Sequence, residues 1–183
     1  MALTILTAIN RVLSRMAEAN EPSAYPPDIE ALIPDALKKF AQIVAKNPDI
    51  APLLRKDFSI VVTSGTGSLV ASLTAAEPML EEFLDSAFLV TSTGVQLHHL
   101  PDRTQLSLKR PQMIPYYTDD AGTLRTRNTD GSLTSLNTTI TATAQYVPTI
   151  GDVPNQLQEL FIDTLALMLK SRAAVPQEQG ANA

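Results

Sequence analysis

Apolar residues recur at helical spacing near both ends of this chain and at strand spacing through its middle. Ile5, Ile9, Val12, Leu13 and Met16 fall on one stripe, with Arg11, Arg15 and Glu18 on other faces. That pattern predicts an amphipathic helix. Asn20-Glu21-Pro22-Ser23 and Tyr25-Pro26-Pro27 then interrupt it. Proline fixes φ and has no N–H to donate, so this stretch reads as a stiff connector. Helical spacing returns from Asp28 through Ile29, Leu32 and Ile33. It restarts at Pro34, a residue suited to a first helical turn, and runs on through Ala36, Leu37, Phe40, Ile43 and Val44 to Asn47-Pro48. A short helix is expected over 49–54.

At Phe58 the pattern changes. Phe58-Ser59-Ile60-Val61-Val62-Thr63 is rich in β-branched residues and stops at Gly65-Thr66-Gly67, which predicts a strand entering a tight turn. Thr74-Ala75-Ala76-Glu77 has the form of a capping box, with Met79, Leu80, Phe83 and Leu84 behind it at helical spacing. Short strands are expected over 88–93 and 95–100 around Gly94, and over 114–118 and 124–127 around Asp119-Asp120-Ala121-Gly122. After a turn at Thr129-Asp130-Gly131-Ser132 comes the clearest strand, in which Leu136, Ile140, Ala142, Ala144 and Tyr146 alternate with Thr139, Thr141, Thr143 and Gln145.

Pro148 and Pro154 bracket a loop before a last helix over 155–172. Leu157, Leu160, Phe161, Leu165 and Met168 make one stripe on it, and Ile162, Ala166 and Leu169 a second. A helix apolar on two faces needs two neighbours. The chain's own N-terminal helices supply one, and a second subunit is expected on Ile162, Ala166 and Leu169. Beyond Pro176 no core-forming residue remains, so the tail is expected to lack structure alone. The pattern predicts an α+β chain: a helical bundle from the N- and C-terminal helices with a β-rich insertion between them. Its expected parts are 1–57 (helices), 58–147 (insertion lobe), 148–174 (packing helix) and 175–183 (tail).

Composition narrows the function. Of 183 residues, 44% are hydrophobic and 18% charged, the profile of a folded protein. A net charge of −5 argues against a dedicated duplex reader with a strong basic face. Cysteine is absent, which removes disulfides, thiolate catalysis and zinc–cysteine sites. Arg11 and Arg15 interrupt the first apolar run, so residues 1–20 read as neither signal peptide nor membrane span.

Candidate chemistry is sparse. His98-His99 lies on an expected strand, where neighbours point to opposite faces and cannot readily share a metal. Ser64-Gly65-Thr66-Gly67-Ser68 follows a strand but lacks the Gly-Lys-Ser/Thr ending of a phosphate loop, so a turn requiring positive φ is the expectation. Asp119-Asp120 has no opposing acid to complete a catalytic pair. Glu77, Glu81, Glu82 and Asp85 read as the solvated face of one helix. Arg103, Lys109, Arg110, Arg125 and Arg127 make the middle locally basic, and Arg125 and Arg127 are singled out for contact with a partner or DNA. No enzyme activity, metal or cofactor is expected.

The layout resembles the head–tail connector, or portal adaptor, proteins of tailed bacteriophages. The resemblance spans residues 25–170. It is carried by Tyr25-Pro26-Pro27-Asp28 with Leu32-Ile33-Pro34-Asp35-Ala36-Leu37, by 116–124 from Tyr116-Tyr117 to Thr123-Leu124, and by Thr143-Ala144-Gln145-Tyr146-Val147-Pro148-Thr149-Ile150 before the last helix. It implies a dodecameric ring at the virion neck, assembled in the host cytoplasm, with no membrane partner. The ring would join the portal protein to a downstream tail or nozzle protein and let DNA pass through its channel. Its tails, here Pro176, Gln177, Glu178 and Gln179, would dock on the portal. Competing expectations are a minor tail or tail-completion protein and a carboxylate-dependent hydrolase.

Overall fold

The structure is a computed structural model, and it describes residues 2–19, 21, 24–80, 88–100, 113–119, 122–128, 132 and 134–173. The chain divides into two compact units, Met1–Asn47 with Pro148–Ala183, and Pro48–Val147.

The first unit is helical. Helix α1 (Ile5–Glu18) starts where the Thr4 side chain accepts the Thr7 N–H, and it buries Ala8, Ile9, Val12 and Met16 at three- and four-residue spacing. Helix α2 (Pro26–Ala45) opens on prolines, whose missing N–H costs nothing in a first turn. The restart expected at Pro34 is not a break, because α2 runs through it. Pro34 and Glu30 both lie on the exposed side of the helix, where a carbonyl that loses its helical donor costs least.

A third long helix, α4 (Gln158–Ala173), follows a 3₁₀ turn at Asn155–Leu157. Arg11 pairs with Glu159 and Arg15 with Asp163, so α4 runs parallel to α1. Phe40 meets Phe161 edge-on at 5.7 Å while Asp35 lies near Arg172, so α4 runs antiparallel to α2.

The second unit corrects the expected fold class. It is not a β-rich insertion on a helical bundle, but a seven-stranded mixed sheet, nearly closed and barrel-like. Its strands are β1 (Arg55–Thr63), β2 (Thr66–Ser68), β3 (Phe88–Thr91), β4 (Leu97–His99), β5 (Ile114–Thr118), β6 (Thr123–Thr126) and β7 (Thr138–Gln145), with the short helix α3 (Val70–Leu73) after β2. The order is β3-β7-β1-β2-β6-β5-β4; β4 and β5 are parallel and the other pairs antiparallel. The edges β3 and β4 approach at a Val90–Gln96 bridge.

The long β1–β7 pairing, from Arg55 opposite Gln145 to Val62 opposite Thr138, joins the two ends of this unit and makes the strands one sheet. The enclosed core contains Phe58, Ile60, Val62, Leu69, Met79, Leu89, Leu97, Tyr116, Leu124, Ile140, Ala142 and Ala144. The unit starts at residue 48, ahead of the compositional change at Phe58, because a 3₁₀ turn (Ala51–Leu54) leads directly into Arg55-Lys56-Asp57, which already pair with β7.

Two local outcomes follow from pairing. Ser64 and Gly65 both have positive φ, 48° and 74°, the pattern of a two-residue type I′ hairpin matched to sheet twist. A Cβ on Gly65 would sit 2.3 Å from the Thr134 carbonyl oxygen, so glycine is required there for space as well as conformation. The helix expected from the 74–77 box does not form over the described residues 74–80. Thr74 instead ends α3, Met79 bridges Tyr146, and the Leu80 N–H donates to the Gln145 carbonyl. Pairing with the chain at the end of β7, where Leu80 N–H meets the Gln145 carbonyl and Val147 N–H meets the Pro78 carbonyl, outcompetes the local helical preference. Residues 81–87, including Phe83 and Leu84, lie outside the described residues.

Candidate functional site

His98 and His99 sit on β4 opposite Pro115 and Tyr116. The His99 ring lies 5.2 Å from that of Tyr116, and His98 Nε2 is buried with no hydrogen-bond partner among the described residues. Among the described residues no three His, Asp or Glu side chains cluster as metal ligands would. The Ser64–Ser68 segment is the β1–β2 hairpin, as its glycines suggested. Glu77 does not sit on a helix: it pairs with Lys56 at 2.8 Å, and the Lys56 ammonium also lies 5.1 Å from the Phe58 ring centre and 4.6 Å from that of Tyr146. Glu81, Glu82, Asp85, Asp120, Arg103, Lys109, Arg110 and the tail residues Pro176, Gln177, Glu178 and Gln179 lie outside the described residues.

On α4, Ile162 is 0% exposed, Leu169 7% and Ala166 8%, so the stripe expected to meet another subunit is already covered within the chain. Among the described residues of α4 the exposed large apolar side chain is Leu167, at 65%. It borders a groove between α1 and α4 with Arg15, Met16, Glu18, Ala19, Asp163, Ala166 and Lys170. Sequence reading missed Leu167 because it belongs to neither stripe. The signal was present nonetheless: Leu165-Ala166-Leu167-Met168-Leu169 is five apolar residues in succession, more than one turn, and a helix on the surface of a domain cannot hide its full circumference.

Arg125 and Arg127 are brought together on the outward side of the sheet. Residues 124 and 126 point into the core, so 123, 125 and 127 point out. Arg125 stands opposite Tyr117 on β5 and opposite Thr66 on β2, and Thr66 in turn stands opposite Thr63 on β1. Asp119 anchors Arg125: one carboxylate oxygen accepts the Thr123 N–H at 3.0 Å, and the other accepts Arg125 Nε at 3.1 Å. The Asp119 side chain is 14% exposed and that of Arg125 36%, so the cation covers the acid. Arg127 donates to the Tyr117 hydroxyl at 2.8 Å, and its guanidinium carbon lies 5.0 Å from that ring's centre. Chemically, this surface offers two oriented guanidinium groups beside threonine hydroxyls, a set of donors suited to an oxyanion.

No helix among the described residues is long and apolar enough to cross a membrane. No protein-family model matches this chain, and no curated protein matches its sequence.

Proposed function

We propose that this chain is a structural assembly protein, a subunit of a head–tail connector ring that joins a phage portal to the tail and leaves a passage for DNA. The observation that carries the reading is Leu167 on the α1–α4 groove. A large apolar side chain flanked by Arg15, Glu18, Asp163 and Lys170 has the anatomy of a small interface: an apolar centre and a charged rim that sets register. The charged residues around it are themselves held in place, Arg15 by Glu159 and Asp163, and Lys170 by Glu21 at 2.6 Å. A pre-ordered rim loses little entropy when a neighbour arrives.

In this reading the neighbouring copy packs on Leu167 and the adjoining edge of Ala166, while Ile162 and Leu169 support the helix from beneath. The ring contacts a portal protein on one side and a tail or nozzle protein on the other. No residue is given a catalytic role.

The test is negative-stain imaging of purified protein, alone and mixed with portal-containing heads, for the natural chain and for Leu167→Glu. Rings on the portal for the natural chain, lost in a folded Leu167→Glu, are expected. Rings that survive the substitution would remove Leu167 from the interface. A natural chain that stays monomeric and leaves the portal bare would remove the connector reading.

A further inference from the structure

The outward face of β6, β2 and β5 carries two arginines, a half-buried acid that orients one of them, and threonine hydroxyls. We infer that this face is a contact for the phosphate backbone of nucleic acid, with Arg125 and Arg127 each meeting one phosphate.

Spacing is the first argument. Arg125 lies on β6 and Arg127 is the first residue past its end, where its N–H still donates to the Pro115 carbonyl, so along this extended stretch their Cα atoms lie about 6–7 Å apart. Each side chain leans the same way along the hairpin: Arg125 to Asp119, which pairs with Thr123, and Arg127 to Tyr117, which pairs with Arg125. With a parallel lean, the two side chains leave the backbone at its own extended spacing, which is close to that of successive phosphates on one nucleic-acid strand. A single compact anion would be bridged better by two side chains that converge.

The second argument is how the cations are held. Asp119 engages Arg125 through Nε, which leaves the two terminal nitrogens to face an acceptor. Because the carboxylate is the more buried partner, an approaching phosphate meets the guanidinium first. Arg127 is kept flat against Tyr117 by the hydroxyl and the ring together. Thr66 extends the row next to Arg125, and Thr123 precedes it on the same side of β6, so neutral hydroxyl donors flank the charge. Tyr117 is 7% exposed, so its face is not open to stack a base, and the contact reads backbone without sequence.

Two phosphate contacts on a protein of net charge −5 make a weak, salt-sensitive grip, of the kind that guides a passing strand. As an assignment of the surface that faces DNA in a connector, the inference rests on the function proposed above. The binding itself does not, and it is read on the isolated protein where ring formation plays no part.

The experiment is fluorescence anisotropy of a labelled mixed-sequence oligonucleotide, single-stranded and duplex, across a salt series. Expected for the duplex is a slope of log affinity against log salt of about −1.8, from about −0.9 per phosphate, and of about −1.4 for the single strand. Arg125→Gln and Arg127→Gln should each remove about half the slope and weaken binding roughly three- to ten-fold at low salt. Thr66→Val keeps every charge and should weaken binding about three-fold at unchanged slope, which a general charge effect would not do. Lys38→Gln, an exposed cation on α2, should bind as the natural chain does. If a glutamine variant fails to fold, Arg125→Lys and Arg127→Lys decide, with the slope kept and the affinity reduced. The inference is overturned if the natural chain does not bind, if the arginine variants bind as it does, if Lys38→Gln weakens binding equally, or if inorganic pyrophosphate binds at the arginines while oligonucleotides do not.

Discussion

Three leucines within five residues of α4 should answer substitution in opposite ways, and the contrast tests both the packing and the interface. Leu165 is fully buried, Leu169 is 7% exposed and Leu167 65% exposed. Leu165→Ala removes the branched end of a side chain that neighbouring groups cannot fully collapse onto, and should cost about 2–5 kcal/mol. With a urea dependence of about 2 kcal/mol per molar, the unfolding midpoint should fall by roughly 1–2.5 M. Leu169→Glu places a carboxylate where the chain surrounds it with apolar groups, and should cost at least as much, about 3 kcal/mol or more, unless the helix shifts. Leu167→Glu exchanges one solvated side chain for another and should stay within about 0.5 kcal/mol of the natural chain. The assay is urea unfolding followed by far-UV circular dichroism, beside size-exclusion chromatography of the same samples. A midpoint for Leu167→Glu as low as that for Leu165→Ala would show Leu167 to be core and defeat the interface argument. A Leu165→Ala shift below about 1 kcal/mol would mean that α4 is not packed as described.

Further predictions concern the sheet unit. Gly65→Ala must hold a positive φ and bring its methyl against the Thr134 carbonyl, so a loss of about 2 kcal/mol or more is expected in thermal melting, whereas Gly94→Ala, which meets only open space, should lose about 1–2 kcal/mol from φ alone. A double-mutant cycle on Lys56→Met and Glu77→Gln should give a coupling of about 1 kcal/mol, and each single change should cost more than the double because it strands one part-buried partner. Thr126, fully buried, donates its hydroxyl to the Gly65 carbonyl and also meets the Thr134 hydroxyl, so Thr126→Val should cost about 1–3 kcal/mol, and an unchanged denaturation midpoint would contradict that pairing.

Periodicity alone was enough to place α1, most of α2, the core strand β1, the β1–β2 turn, β7 and α4. Each of those rests on local physics: a 3.6-residue stripe, a two-residue alternation, or a glycine-bearing turn whose φ the chain must adopt. Arg125 and Arg127 were legible as a basic pair on one strand for the same reason. What local physics cannot show is which distant segment closes over which face. The 74–80 segment has a capping box, yet Met79 and Leu80 pair with Tyr146 and Gln145, because buried sheet carbonyls demand partners more strongly than a helix start offers stability.

The same holds for fold class. Strands read one at a time look like an insertion on a bundle, while the β1–β7 register, set by burying Ile60 opposite Ile140 and Phe58 opposite Ala142, curls them into a nearly closed sheet. On α4 the two apolar stripes were visible in the sequence, but which of them stayed exposed was not. Packing against the chain's own elements buried Ile162, Ala166 and Leu169 and left Leu167 outside. Asp119 beneath Arg125 and Tyr117 beneath Arg127 are likewise products of cross-strand register, which only the folded sheet defines. Sequence determined the elements and their apolar faces; tertiary structure decided their pairing, because burial is a property of the surface brought up against a residue and not of the residue itself.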